Sequence, residues 1–237
     1  GGILQRGGTI LQTARSKEFR EPAGQREAIR QINNAGMDAL VIAGGDGSLA
    51  GAQKLAQKGI PVIGAPASID NDIYGTDTCI GVDTALNTIV DAIDKLRDTA
   101  SSHNRAFLVE TMGRESGYLA VQAGIITGAE LVLIPESKTP PKEVAAAIEE
   151  AYRRGKTHAI VVVAEGYKPH TAELGEMIDA MDIGFTTRVT ILGHVQRGGK
   201  PTAFDRLLAT RFGVKSVEFL LAGMSSVMTG LAGREIQ

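Results

Sequence analysis

Asp38-Ala39-Leu40-Val41-Ile42-Ala43-Gly44-Gly45-Asp46-Gly47-Ser48 is the stretch on which the fold turns. An apolar run rich in β-branched residues stops at three glycines around one aspartate, and Ser48 then opens a helix-like segment, Leu49 to Lys58. That order predicts a buried strand, a tight turn and a helix N-terminus. In α/β sheets such a turn presents backbone N–H groups to anions, and glycine lets a phosphate approach because no Cβ intervenes. Asp46 stands where a metal-phosphate complex would lie. A plain strand-to-helix turn with a capping serine and no ligand fits the same residues, so the rest of the chain must decide.

The chain has 237 residues, 43% of them hydrophobic, enough for one large domain or two small ones with a substantial core. A net charge of −2 argues against nucleic acid or an anionic membrane as partner, since either favours a concentrated basic surface. Cys79 is the only cysteine, which excludes an intramolecular disulfide and a cysteine-rich zinc site and makes a reducing cytoplasm the simplest setting. It is expected as a buried residue at a helix start. No apolar run is long enough to span a bilayer, and the first eight residues lack the apolar core of a signal peptide.

Outward from the opening stretch, Gln5 to Arg15 suggests a helix end, a glycine turn, a short strand and an exposed loop. Pro22 to Ala35 sets Ala28, Ile29 and Ile32 on one helix face, ended by Gly36. Ile60 to Pro66 is a second buried strand that delivers Ser68-Ile69-Asp70-Asn71-Asp72; if that tail is extended, Asp70 and Asp72 point the same way. Cys79 to Leu96 has helical apolar spacing, which Ser101-Ser102-His103-Asn104 breaks. Ala106–Glu110, Leu131–Ile134 and Ala159–Ala164 read as strands, and Glu115–Ile126, Lys142–Arg154 and Ala172–Met181 as helices. Thr186 to Gly199 is a strand running into a basic glycine-rich turn, followed by a helix, Ala203–Leu221, and a short strand, Ser226–Met228. Continuous apolar strands alternating with helices predict an α/β fold with mainly parallel sheets covered on both faces. No linker divides the sequence, so any two domains are closely joined.

Each strong strand delivers charged groups near its C-terminal end, where parallel sheets bind ligands: Asp46, Asp70 with Asp72, Arg114, Glu165, and His194 with Arg197. Carboxylates suit Mg²⁺, and Arg15, Arg114, Arg188 and Arg197 suit phosphates. Metal, phosphates and a carboxylate near an alcohol together point to phosphoryl transfer. Asp70 is the candidate base, with His194 as the alternative; His103, His158 and His170 read as surface or capping residues.

Five blocks in this order resemble the phosphofructokinase family in its bacterial ATP-dependent form: Arg6-Gly7-Gly8-Thr9 with Thr13-Ala14-Arg15, Gly44 to Ser48, Ser68 to Asp72, Met112-Gly113-Arg114, and Leu192 to Gly199. The resemblance implies transfer of the ATP γ-phosphoryl to the 1-hydroxyl of fructose 6-phosphate, giving fructose 1,6-bisphosphate and ADP. It implies that Asp46 binds Mg²⁺, that Arg15, Ser16, Gly45, Gly47 and Ser48 hold the nucleotide, and that Asp70, Asp72 and Arg114 are catalytic. Ser68, Ile69, Met112, Gly113, Arg114 and Glu165 would meet the sugar, and His194 and Arg197 its 6-phosphate. Arg105 and Arg188 would reach a neighbouring subunit's site in a homotetramer. Arg97, Glu130, Arg154 and Lys156 match an allosteric nucleotide site, for which surface helix charges are the competing account. A discontinuous nucleotide domain, residues 1–81 plus 194–237, would flank a sugar domain, 82–193. Gly47 and Ala67 stand where pyrophosphate-dependent relatives carry aspartate and lysine, which favours ATP. The family also has a strand and glycine-rich loop that would precede Gly1, and elements that would follow Gln237, so the chain is expected to be a shortened form. The alternatives are a pyrophosphate-dependent enzyme and a non-catalytic sugar-phosphate-binding subunit.

Overall fold

The structure, a computed structural model, describes residues 2–100, 105–184 and 186–237. The helix break read at 101–104 and the surface reading of His103 lie outside the described residues. In chain order the elements are α1 (Pro22–Asn34), β1 (Leu40–Gly44), α2 (Asp46–Ala56), β2 (Val62–Pro66), α3 (Val82–Ala100), β3 (Arg105–Thr111), α4 (Tyr118–Thr127), β4 (Leu131–Leu133) and α5 (Pro141–Arg153). There follow β5 (His158–Ala164), α6 (Thr171–Asp179), β6 (Thr186–Ile191), α7 (Ala203–Leu221), β7 (Val227–Met228), β8 (Leu231–Ala232) and β9 (Glu235–Ile236). The chain divides into two compact units: Gly1–Ser68, Asp72–Gly81 and Lys200–Gln237 form the first, and Ile69–Asn71 with Val82–Gly199 the second. The main crossings therefore fall after Gly81 and Gly199, and a three-residue excursion takes Asp70 into the second unit.

The first unit is built on a parallel sheet in the order β1-β2-β7. On one side Ala28, Ile29 and Ile32 of α1 meet Ala52 and Leu55 of α2 and Val62 of β2, as the spacing in α1 requires. A second cluster joins Leu208 and Phe212 of α7 to Ala65 and Leu231. Thr202 caps α7 by accepting the Asp205 N–H at 3.3 Å, and buried Asp205 in turn accepts the Gly81 N–H at 2.9 Å. Cover on both faces holds for β2 but not for β1, whose Val41 and Ala43 are exposed. The short strand expected within residues 5–15 does not form either. This segment is exposed, bent by a turn in which the Gln12 N–H meets the Thr9 carbonyl at 3.0 Å, and pairs with no strand among the described residues. The β8–β9 hairpin was not anticipated.

The second unit carries a fully parallel sheet, β4-β5-β3-β6. Leu108, Val161 and Val163 face α5 and α6 through Val144, Ile148, Leu174 and Ile178. Phe107, Val109, Ile160 and Val162 are also buried, on the side served by α3 and α4. Burial on both faces accounts for the uninterrupted apolar runs of β3 and β5, whereas the expected cover on both faces fails at the edge strand β6, which is mostly exposed. Cys79 is fully buried just before α3. Among the described residues no helix is long and apolar enough to cross a membrane.

Candidate functional site

In the first unit the paired register of β1 and β2, Gly44 opposite Pro66, brings the ends that lead to Asp46 and Ser68 to the same edge of the sheet. α2 starts at Asp46 rather than at Ser48, because extended Gly45 (φ −84°, ψ −170°) is the capping residue. Its carbonyl accepts the N–H groups of Ser48 (2.9 Å) and Leu49 (3.1 Å). Asp46 thus opens the helix, where a carboxylate complements the dipole, and its side chain is exposed. Ser48 does not cap; it folds back on Gly44, where a Cβ would lie 2.5 Å from the serine side chain.

The three glycines of this turn therefore differ in kind. Gly44 is demanded by packing. Gly47 is not, since a Cβ there would meet nothing within 4 Å, and at Gly45 the nearest atom would be Ser68 Cβ at an ordinary 3.6 Å. Neither has a left-handed φ. The fold asks for glycine at neither place, which leaves open backbone with N–H groups that the helix itself cannot satisfy.

Asp70 and Asp72 do not point the same way. Asn71 takes a left-handed φ of 51°, which breaks the extended chain on which that expectation depended. Asp72 is exposed and accepts the Ser68 hydroxyl at 3.1 Å, closing the loop within the first unit. Asp70 is buried in the second unit, its Oδ2 3.0 Å from Nε of Arg114; the two side chains are 4% and 57% exposed. The guanidinium has five N–H donors, so an Nε contact leaves others for a ligand.

The second unit gathers its site at three strand ends. Thr111 pairs with Ala164 and Glu110 with Ile191, so Met112–Arg114, Glu165 and the 193–197 turn all follow from one edge of the sheet. Glu165 Oε1 accepts the N–H groups of Gly113 (3.1 Å) and Arg114 (2.7 Å). Arg114 itself is left-handed, φ 52°, and is fixed further by Gly166, where a Cβ would lie 2.2 Å from the Arg114 carbonyl oxygen. Next to it Tyr167 is buried and donates its hydroxyl to the Thr139 carbonyl; burial, with Glu143 nearby, pushes its pKa up. His194 and Arg197 are exposed on their turn, while Gln196 between them is buried. The sequence assigns Gln196 no role, and its one signal is its place between His194 and Arg197.

Other expected residues are not drawn into this group. Arg105 begins β3 and Arg188 lies opposite Phe107, near the far end of the sheet. Seven residues of strand put Arg105 roughly 20 Å from Thr111. Ile69 is half-buried beside Asp70. Ser16 accepts the Phe19 N–H at 3.1 Å and donates to Glu18 at 2.9 Å, so it organises a local turn, and Arg15 beside it is exposed. Of the four expected effector residues, Glu130 and Lys156 form a 2.6 Å ion pair, and Glu130 also accepts the Ile160 N–H. Arg97 donates to the Thr127 carbonyl, and Arg154 pairs with Glu150 one turn back at 3.1 Å.

A family model for phosphofructokinase matches residues 1–220. The ATP-dependent 6-phosphofructokinase of Natranaerobius thermophilus is 52% identical over 231 residues, covering 98% of this chain and 72% of the relative. That of Thermotoga neapolitana is 53% identical over 235 residues, covering 99% and 73%. The chain thus spans a little under three quarters of these relatives. Among solved structures, phosphofructokinase from Saccharomyces cerevisiae superposes with a TM-score of 0.90 at 38% identity, over 100% of this chain and 36% of that one. A pyrophosphate-dependent phosphofructokinase from Marinobacter aquaeolei shares the fold, with a TM-score of 0.83 at 22% identity, over 94% of this chain and 60% of that one. Matched by the family model over most of its length and near half identical to these relatives throughout, this chain belongs to the phosphofructokinase family.

Proposed function

We propose that this chain acts as a glycolytic kinase that transfers the ATP γ-phosphoryl to the 1-hydroxyl of fructose 6-phosphate. The single observation that carries the reading is the Asp70–Arg114 pair, a buried carboxylate held against a largely exposed guanidinium. Asp70 takes the proton of the attacking hydroxyl as the new bond forms, and Arg114 meets the transferring group. Met112, Gly113 and Glu165 face the sugar; since side chains already take the N–H groups of 112–114, recognition there falls to side chains and carbonyl oxygens. His194 and Arg197 take the 6-phosphate.

On the donor side, Gly45 and Gly47 admit the nucleotide phosphates to open backbone, with Ser48, Arg15 and Ser16 beside them in this assignment. Among the described residues no group of three or more His, Cys, Asp or Glu side chains could cage a metal. A single exposed carboxylate at Asp46 instead fits Mg²⁺ in its usual association with one or two carboxylates and the substrate's own phosphates. When bound there, Mg²⁺ neutralises charge on those phosphates. A homotetramer in which Arg105 and Arg188 serve a neighbouring subunit accommodates their distance from Arg114, and an effector nucleotide on Arg97, Glu130, Arg154 and Lys156, in a cytoplasmic enzyme, completes the reading.

Turnover of fructose 6-phosphate with ATP and with pyrophosphate, each under saturating Mg²⁺, tests the proposal. ATP-dependent turnover is expected. Turnover with pyrophosphate alone would replace the donor, and binding without any turnover would reduce the chain to a sugar-phosphate-binding module. A second test uses Gly47→Ala. Because a Cβ there meets nothing, stability should hold or rise by up to about 1 kcal/mol from helix propensity, while ATP affinity falls. Unchanged ATP affinity by calorimetry would remove the turn from the site.

A further inference from the structure

We propose that Gln196 is a positioning residue that sets the spacing between the turn bearing His194 and Arg197 and the turn bearing Met112 and Arg114. The inference rests on the sugar-phosphate reading of those two turns. Gln196 is 1% exposed, although both assigned neighbours on its turn face solvent. Its Oε1 accepts the Met112 N–H at 3.1 Å, and its Nε2 donates to the Gly193 carbonyl at 2.9 Å. With a donor partner on one side and an acceptor on the other, the orientation of the amide is fixed. The side chain is therefore a strut within the second unit: one end holds the start of the 112–114 turn, and the other braces its own turn at Gly193, whose φ of 56° is left-handed.

This placement carries a consequence for selectivity. Inorganic phosphate needs only His194 and Arg197, and is indifferent to where Met112 and Arg114 lie. Fructose 6-phosphate must span both turns, so its affinity depends on their separation, as for any two-point ligand whose second contact forms at a fixed effective concentration. Gln196 thus acts through the other residues and touches no ligand itself.

The test compares fructose 6-phosphate with inorganic phosphate on the chain and on two variants. Gln196→Leu removes both hydrogen bonds. Gln196→Met keeps the length of the side chain and likewise removes both hydrogen bonds. In both variants fructose 6-phosphate affinity is expected to fall roughly tenfold, the scale of a lost hydrogen bond, while phosphate affinity is retained. Equal losses for the two ligands would show that Gln196 merely holds the 193–197 turn folded, and unchanged fructose 6-phosphate affinity in both would remove any role; either overturns the proposal. If Gln196→Leu fails to fold, Gln196→Met carries the comparison alone. Absence of fructose 6-phosphate binding by the unsubstituted chain overturns the sugar-phosphate reading and this role with it, and is distinct from binding that the variants leave untouched.

Discussion

Asp70→Asn is expected to lower turnover of fructose 6-phosphate with ATP by roughly 10²–10⁴, the usual worth of a general base, with sugar-phosphate affinity left near that of the unsubstituted chain. The asparagine oxygen can still accept from Arg114 Nε, which lies 3.0 Å from Oδ2 in the present arrangement. What disappears is the basicity at a buried position. Asp70→Ala should give a similar kinetic loss with little further cost to stability, because Arg114 is 57% exposed and water can solvate its released charge. Steady-state turnover numbers set beside calorimetric affinities separate the two effects. A turnover number that survives Asp70→Asn would remove Asp70 as the base and leave His194 as the alternative base.

The parts of this site that are legible in the sequence share one property: they lie where a strand of a parallel sheet stops. Met112–Arg114 and Glu165 follow the uninterrupted apolar runs of β3 and β5, Gly44–Ser48 follows the apolar but half-exposed β1, and His194–Arg197 follows β6, whose threonines and Arg188 leave it mostly exposed. What was not legible depends on single backbone or side-chain choices. The left-handed φ of Asn71 separates Asp70 from Asp72, and an asparagine within Ile-Asp-Asn-Asp carries no periodic signal of that bend. α2 begins at Asp46 rather than at Ser48 because a glycine cap needs no side-chain signature. Two-residue strands such as β8 and β9 are too short for alternation to register. Gln196 and Gly166 escape for a different reason: both act on the backbone of a turn distant in sequence, Met112 for one and Arg114 for the other, and spacing along the chain cannot report such a contact.

Gly166→Ala should therefore be among the most damaging small substitutions in the second unit. The added Cβ would lie 2.2 Å from the Arg114 carbonyl oxygen, a backbone atom that cannot swing aside, and 3.3 Å from Pro135 Cγ behind it. Arg114 has little room to yield. Its own φ is left-handed, its N–H is held by Glu165 at 2.7 Å, and the preceding Gly113 sits at φ 142°, where a Cβ would come within 2.4 Å of the Ser116 carbonyl oxygen. Relief requires the turn to move as a whole, with a loss of about 1–3 kcal/mol in urea unfolding as for other overpacked positions. The same movement draws the Arg114 guanidinium away from Asp70, and a displacement near 1 Å at a reacting group lowers turnover by up to about 10²-fold. A Gly166→Ala chain that unfolds at the same urea concentration and turns over at the same rate would mean that the 112–114 turn relaxes freely, and the rigidity ascribed to it here would be wrong.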